Sequence, residues 1–206
     1  MKKNKYDNFY VKQEMQNGVR SCDLVLERSR SDIPIIGNFL RDRICDITQG
    51  IISHAFLIGK SGDIIEINQT GVHITKLKPK LNNKMGLLVF RNNNITEEEK
   101  DKMLSYAYMT AQKKTGYDFA GLLSHLFPFI RQDNKLFYCS EFCATAFSKI
   151  NVRVSSRSVS VTTPQDLLDY QYLYGAFADN VHGWELADSQ NMSLPAVADF
   201  QAEKYK

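Results

Sequence analysis

The chain has 206 residues, of which 43% are hydrophobic and 24% are charged, and its formal net charge is +3. A chain of this length can bury a sizeable core as one domain, and its hydrophobicity excludes an intrinsically disordered protein. The basic residues cluster in residues 2–5 and 76–84 without forming an aromatic-interleaved basic stripe, so the sequence does not favour nucleic-acid binding.

Four cysteines stand at positions 22, 45, 139 and 143, with no C-x-x-C motif and no zinc-finger spacing to histidine. We therefore predict no metal, no cofactor and a reducing, cytoplasmic setting. Residues 1–8 lack the apolar core of a signal peptide, and no apolar run is long enough to span a bilayer. Export by a non-standard route stays open, and the sequence does not fix the oligomeric state.

Short β-branched and apolar runs predict the strands of the first half of the chain. The turn at residues 59–62 joins two of these runs as a hairpin. A loop at 29–38 and a short helix at 39–48 separate the first two strands, and a further loop follows at 76–83. The predicted strands are 22–27, 51–58, 63–67, 71–75 and 86–91.

Helices dominate the second half of the prediction. Thr96 is an N-cap before three glutamates, and that helix is expected to stop near Gly116. An apolar stretch at 117–130 predicts a second helix, a third follows Cys139, and Thr162-Thr-Pro164 opens a fourth. Residues 170–178 are predicted as a last strand. We divide the chain into an N-terminal extension at 1–20, a catalytic domain at 21–180 and a C-terminal tail at 181–206.

Cys139 begins one of these predicted helices. A helix N-terminus lowers the pKa of a thiol through its unpaired N–H groups, and a nearby imidazole completes the activation of a nucleophile. Phe142, Cys143, Ala146 and Phe147 follow at helical spacing, so the helix is buried and Cys143 is a core residue. A structural, buried role for Cys139 is the alternative, since one cysteine is not a motif by itself.

His54 is the histidine that best fits the role of base. It lies within an apolar strand, and Glu66 lies in the next strand of the hairpin, where an unpaired polar group is costly to bury. Pairing would fix the tautomer of His54 and leave one ring nitrogen to take a proton from Cys139. For Glu66 an exposed strand position is the alternative. We interpret the other histidines, at 73, 125 and 182, as surface, core and tail residues.

The order of five motifs resembles the circularly permuted branch of the NlpC-type papain-like superfamily, the YiiX-like proteins, which are distantly related to the lecithin:retinol acyltransferase group. In that branch histidine and acid precede the cysteine. The resemblance runs from about residue 23 to residue 166 and includes Thr163-Pro-Gln-Asp-Leu. The motifs are Asp23-Leu-Val-Leu, Ile52-Ser-His-Ala, Ile65-Glu with Gly71-Val, Gly116-Tyr-Asp and Phe137-Tyr-Cys-Ser-Glu-Phe.

The resemblance implies an α+β, permuted papain-like fold, with an antiparallel barrel-like sheet packed against the helix that carries Cys139. It implies Cys139 as nucleophile, His54 as general base and then acid, and Glu66 as the group that orients His54. Tyr117, and with it Tyr138, is expected as an oxyanion or substrate-wall residue. Cys22 departs from the family, which usually has glycine there, and so puts a tight turn in doubt.

The function that these residues predict is a thiol hydrolase, of the amidase or cysteine peptidase type, working through an acyl-enzyme. The expected substrate is an amide or ester, such as a peptidoglycan-type peptide or a lipid acyl group. Two alternatives stay open: an acyltransferase or thioesterase acting on lipids, and a catalytically silent binding module on the same fold.

Overall fold

The computed structural model of the chain describes residues 14–29, 45–46, 48–68, 71–81, 85–113, 138–178 and 182–205. The strands are β1 (Leu24–Ser29), β2 (His54–Ile58), β3 (Asp63–Asn68), β4 (Gly71–Lys76), β5 (Met85–Asn92) and β6 (Trp184–Gln190). The α-helices are α1 (Glu97–Gln112), α2 (Cys139–Ser148), α3 (Pro164–Leu173) and α4 (Leu194–Lys204), and short 3-10 turns span Lys78–Leu81 and Val159–Val161.

The strands form one six-stranded sheet in the order β4-β3-β2-β1-β5-β6, and its neighbouring strands pair antiparallel. The predicted α+β fold with an antiparallel sheet is confirmed. The hairpin of β2 and β3 is also confirmed, with Leu57 opposite Ile65 and Ile58 opposite Ile64. Within the described residues the strand order is linear, so the pairing itself does not close the sheet into a barrel.

Both faces of the central strands are buried, which explains the continuous apolar runs Leu24–Leu26 in β1 and Ala55–Ile58 in β2. One face, which includes Leu24, Leu26 and Leu57, belongs to the main core that also contains residues of all the helices. The other face carries a smaller cluster around Val25, Phe56 and Val89, with Met15 and Val19 packed against it. Each fully buried side chain of this size contributes about 1.5–3 kcal/mol to folding.

Two helices begin with the capping residues that the sequence predicts. Thr96 caps α1 in a reciprocal capping box with Glu99, and Thr163 caps α3 in the same way with Asp166, with Pro164 in the first turn. Such caps contribute about 1 kcal/mol each. The start of α2 is different, because Tyr138 at its N-cap position makes no side-chain cap hydrogen bond. The N–H groups of the first turn of α2 therefore depend on other partners.

Two predictions for the C-terminal part are wrong. Residues 170–173 continue α3 and residues 174–178 form turns, so no strand is present at 170–178. The described part of the predicted tail, residues 182–205, contains β6, which pairs with β5, and the helix α4. β6 was not predicted from the sequence because it is a mostly polar edge strand. It is held by the buried Trp184 at its start and by its pairing with β5, which has a register shift between Val89 and Phe90.

The end of the predicted N-terminal extension also packs on this edge. The backbone N–H groups of Gln16, Asn17 and Gly18 donate to the Asp188 carboxylate at 3.2, 2.6 and 2.7 Å. Of the predicted helix at 39–48, Cys45, Asp46 and Thr48 are helical. The rest of it, the loop at 29–38 beyond Ser29, and the predicted helix at 117–130 lie outside the described residues.

None of the helices in the described ranges combines the length and hydrophobicity needed to cross a bilayer.

Candidate active site

His54 and Glu66 are brought together by the β2–β3 hairpin. His54 begins β2, and its Nε2 lies 2.8 Å from Glu66 Oε2 on β3. The two residues are only 6% and 7% exposed, so the contact is largely shielded from solvent. An ionised carboxylate can only accept a hydrogen bond, so the pairing assigns the ring hydrogen to Nε2 and leaves Nδ1 for another partner.

The second oxygen of Glu66 is held by Thr75 on the edge strand β4. Thr75 Oγ1 donates to Glu66 Oε1 at 3.3 Å, and the strand register places Glu66 opposite His73. Thr75 was not predicted from the sequence as a site residue. Thr75 lies two positions after His73, the cross-strand partner of Glu66. This pattern is a weak signal, because threonine is common in strands.

Cys139 is the first residue of α2 and is 3% exposed. Burial raises the pKa of its thiol, but the charge of His54, a hydrogen bond with the His54 side chain, and hydrogen bonds with the backbone of Ala55 and Ser140 outweigh burial and lower the pKa below its ordinary value of 9.0. The structure therefore places Cys139, His54 and Glu66 in one chain of contacts, with Nδ1 as the ring nitrogen left to face the thiol.

Cys143 has the opposite electrostatic environment, although it lies one helical turn from Cys139. It is fully buried in the main core. Burial, together with the charge of Cys139, raises the pKa of the Cys143 thiol well above its ordinary value. The prediction that Cys143 is a core residue is confirmed.

Cys22 lies at the far end of the β1–β2 pair from His54. Its backbone N–H donates to Ile58 O at 2.8 Å, while its thiol lies 3.8 Å from Lys100 O. The φ of Cys22 is 70°, in the left-handed region that favours glycine, so the backbone turns tightly here although the residue is not glycine. Burial raises the pKa of Cys22 to about 12. The thiol is therefore neither close to His54 nor readily ionised.

Tyr117 and Tyr138 are the two tyrosines expected near the site. Tyr117 lies outside the described residues. Tyr138 is 1% exposed and its hydroxyl donates to Ser160 O at 3.1 Å, which ties the start of α2 to a distant segment. Its role as an oxyanion or substrate-wall residue stays a prediction.

The residue after the nucleophile makes a contact that sequence reasoning missed. Ser140 is fully buried, and its Oγ donates to Thr162 O at 2.6 Å. This bond fixes the first turn of α2, and with it Cys139, to the segment that opens α3. Nothing in the sequence points to a backbone carbonyl as the partner of a serine 22 positions away.

The other histidines lie apart from the Cys139–His54 contact or outside the description. His73 is half-buried on β4, His182 is exposed in the turn before β6, and His125 lies outside the described residues. In the part of the chain that is described, no group of three or more His, Cys, Asp or Glu side chains is placed to hold a metal ion.

A scan against models of known protein families finds no match for this chain, and a search of curated proteins finds no matching sequence either.

Proposed function

We propose that the chain is a cysteine hydrolase of the papain-like, NlpC type, in which Cys139 is the nucleophile, His54 the general base and acid, and Glu66 the residue that orients His54. One observation carries the proposal: a thiol with a lowered pKa contacts an imidazole whose Nε2 is 2.8 Å from a buried carboxylate. This is the arrangement that an activated thiol requires.

The reaction begins when the Cys139 thiolate attacks the carbonyl carbon of the substrate and forms a carbon–sulfur bond. The charge moves to the carbonyl oxygen, where the backbone N–H of Cys139 at the start of α2 is a candidate donor. As the tetrahedral intermediate collapses, the bond to the leaving nitrogen or oxygen breaks, and protonated His54 gives its proton to that atom. Water, deprotonated by His54, then attacks the thioester, which releases the acid and restores the thiol.

Glu66 supports both steps without meeting the substrate. Its carboxylate accepts from the ring and so keeps the hydrogen on Nε2, which leaves Nδ1 to exchange the proton with sulfur and leaving group. Thr75 fixes the other carboxylate oxygen. The charge of Glu66 also stabilises the imidazolium that exists while the thiolate is formed.

The resemblance to the permuted papain-like branch supports the same assignment, because the order His54, Glu66, Cys139 along the chain is the order in that branch. It also points to the substrate class. We propose an amide or ester of a peptide or acyl chain, with peptidoglycan-type peptides and lipid acyl groups as the first compounds to assay.

A thiol-directed acyl probe tests the assignment at neutral pH. Cys139→Ala is expected to abolish labelling, whereas Cys143→Ala and Cys22→Ala keep it. Decay of the labelled thioester in water indicates a hydrolase, and transfer only to an added acceptor indicates an acyltransferase. Retained labelling of the Cys139→Ala variant, or no labelling of the wild-type protein, contradicts the proposal.

A further inference from the structure

Gln165 connects α3 to the segment that leads into His54. It lies in the first turn of α3 and is 1% exposed. Its Oε1 accepts from the backbone N–H of Ile51 at 2.8 Å and from that of Ile52 at 3.4 Å. Ile52 and Ile51 lie two and three positions before His54, so Gln165 fixes the backbone segment that leads into His54.

Gly50 makes room for this contact. A Cβ added at Gly50 would lie 2.4 Å from Gln165 Oε1 and 2.6 Å from Gln165 Cγ, which is too close for any side chain. Because Gly50 does not have a positive φ, an alanine there would be acceptable to the backbone, and the nearest atoms to its Cβ would be those of the Gln165 side chain. The Gln165 side chain therefore occupies the space that a side chain at position 50 would need.

The same helix start holds the nucleophile from the other side. Thr162 O accepts from Ser140 Oγ at 2.6 Å, directly next to Cys139. Between Thr162 and Gln165 the chain is stiffened by the capping box of Thr163 and Asp166. Residues 162–165 thus contact the residue that follows Cys139 and the backbone two and three positions before His54.

The side chain of Gln165 is itself held by a buried polar network. Its Nε2 donates to Asp169 Oδ1 at 2.7 Å and to Gln201 Oε1 at 3.3 Å. Gln201 Nε2 also donates to Asp169 Oδ1 at 3.0 Å, and Lys204 Nζ lies 2.6 Å from Asp169 Oδ2. Helix α4, in the segment first interpreted as a tail, therefore fixes the rotamer of Gln165.

From this geometry we infer that Gln165 is a positioning residue for the reaction. Gln165 sets the distance between the His54 ring and the Cys139 thiol. The inference rests on the proposed function. Burial favours the neutral thiol, and the contacts that favour the thiolate include His54 and the backbone of Ala55, the residue after it. A shift of the 51–54 segment away from α2 would weaken both, so the thiol would ionise at higher pH.

The test measures the alkylation rate of Cys139 against pH in the intact protein, with iodoacetamide and mass-spectrometric detection of the modified peptide. Gln165→Met removes both sets of hydrogen bonds at similar size. It is expected to move the midpoint of the profile upward by about one pH unit and to slow alkylation at neutral pH about tenfold.

Gln171→Met is the matched control. Gln171 is a fully buried glutamine of the same helix, and its Oε1 accepts from the backbone N–H of Ala176 at 3.1 Å. Both variants lose a buried amide and are expected to lose thermal stability. Only Gln165→Met should move the pH midpoint, and equal midpoints for the two variants would overturn the inference.

A double variant provides the rescue. Gln165→Glu alone places two carboxylates together, but Gln165→Glu with Asp169→Asn reverses the donor and acceptor while keeping an oxygen for Ile51 and Ile52. The double variant is expected to recover the wild-type midpoint, and a midpoint that stays shifted contradicts positioning by Gln165. Should Gln165→Met fail to fold, Gly50→Ala carries the same test, because it displaces the glutamine by steric contact alone.

The two proposals fail differently. If Cys139 of the wild-type protein does not ionise below the ordinary pKa of a thiol, this result contradicts both the proposed function and the inference. If the wild-type protein has the low midpoint and Gln165→Met, or Gly50→Ala where Gln165→Met does not fold, has the same midpoint, the inference alone is overturned.

Discussion

Cys139 and Cys22 are both buried thiols, and they lie at opposite ends of the β1–β2 pair. Burial opposes the ionisation of each. At Cys139 the imidazole of His54 and two backbone groups reverse the effect, whereas at Cys22 the charge of Lys100 offsets burial only in part and three nearby carboxylates raise the pKa further. Burial alone therefore does not decide whether a cysteine is reactive. The charges and hydrogen-bond donors around the sulfur decide it.

The largest expected effect is the selectivity between these two thiols. The lowered pKa of Cys139 means that its thiolate is present below the ordinary value of 9.0 and is lost as the pH falls through the lowered value. Cys22, with a pKa of about 12, stays protonated over this range. At pH 8 we expect iodoacetamide to modify Cys139 at least about a thousandfold faster than Cys22. Peptide-resolved mass spectrometry checks this, and comparable rates would remove the contrast.

Removal of the imidazole should make Cys139 resemble Cys22. With His54→Ala, burial is no longer opposed by the ring, so the pKa of Cys139 rises and alkylation at neutral pH slows by about 100-fold or more. The measurement is the pH profile of the modification rate. His182→Ala, at an exposed histidine before β6, is the control and should leave the profile unchanged. An unaltered rate in His54→Ala would exclude His54 as the base.

Neutralising the carboxylate should have a smaller effect. Glu66→Gln keeps the size of the side chain but removes the charge that favours the imidazolium, so acylation of Cys139 is expected to slow about tenfold, or about 1.4 kcal/mol of barrier. Single-turnover acylation by the thiol-directed probe measures it. Glu185→Gln, on the other edge of the sheet, serves as the comparison variant. Equal rates for Glu66→Gln and wild type would leave Glu66 a structural residue.

The smallest effect concerns the turn at Cys22. Glycine removes the strain of the left-handed conformation, about 1 kcal/mol, but also removes a buried thiol, so Cys22→Gly should change the free energy of unfolding by less than about 1 kcal/mol. Cys22→Val should destabilise the fold by about 1–3 kcal/mol, because a β-branched residue is poorly suited to a φ of 70°. Denaturant unfolding checks both. A valine variant as stable as the glycine variant would contradict the strained turn.

What could be predicted from the sequence differs between strands β1 to β5 and the edge strand β6. β1 to β5 and the caps at Thr96 and Thr163 carry local signals, since apolar runs and capping residues act within a few positions. β6 carries no such signal. Its residues are mostly polar because it lies at the edge, and only its pairing with β5 makes it a strand.

Some contacts of the candidate site could be predicted from the sequence and others could not. The contact of His54 with Glu66 could be predicted, because two polar side chains in neighbouring apolar strands are costly unless they pair. Ser140 and Gln165 could not be predicted, because their partners are the carbonyl of Thr162 and the N–H groups of Ile51 and Ile52. Backbone groups are present at every position, so a side chain that binds them leaves no pattern in the sequence.

The most direct test of Cys139 as an activated nucleophile is a pH titration of the ultraviolet absorbance of the thiolate, taken as the difference between the wild-type protein and Cys139→Ser. We predict one ionisation step below the ordinary thiol value of 9.0, and we expect this step to move upward when His54→Ala is introduced. A wild-type difference curve that shows no ionisation below that value, or a step that stays in place without the imidazole, would contradict this prediction.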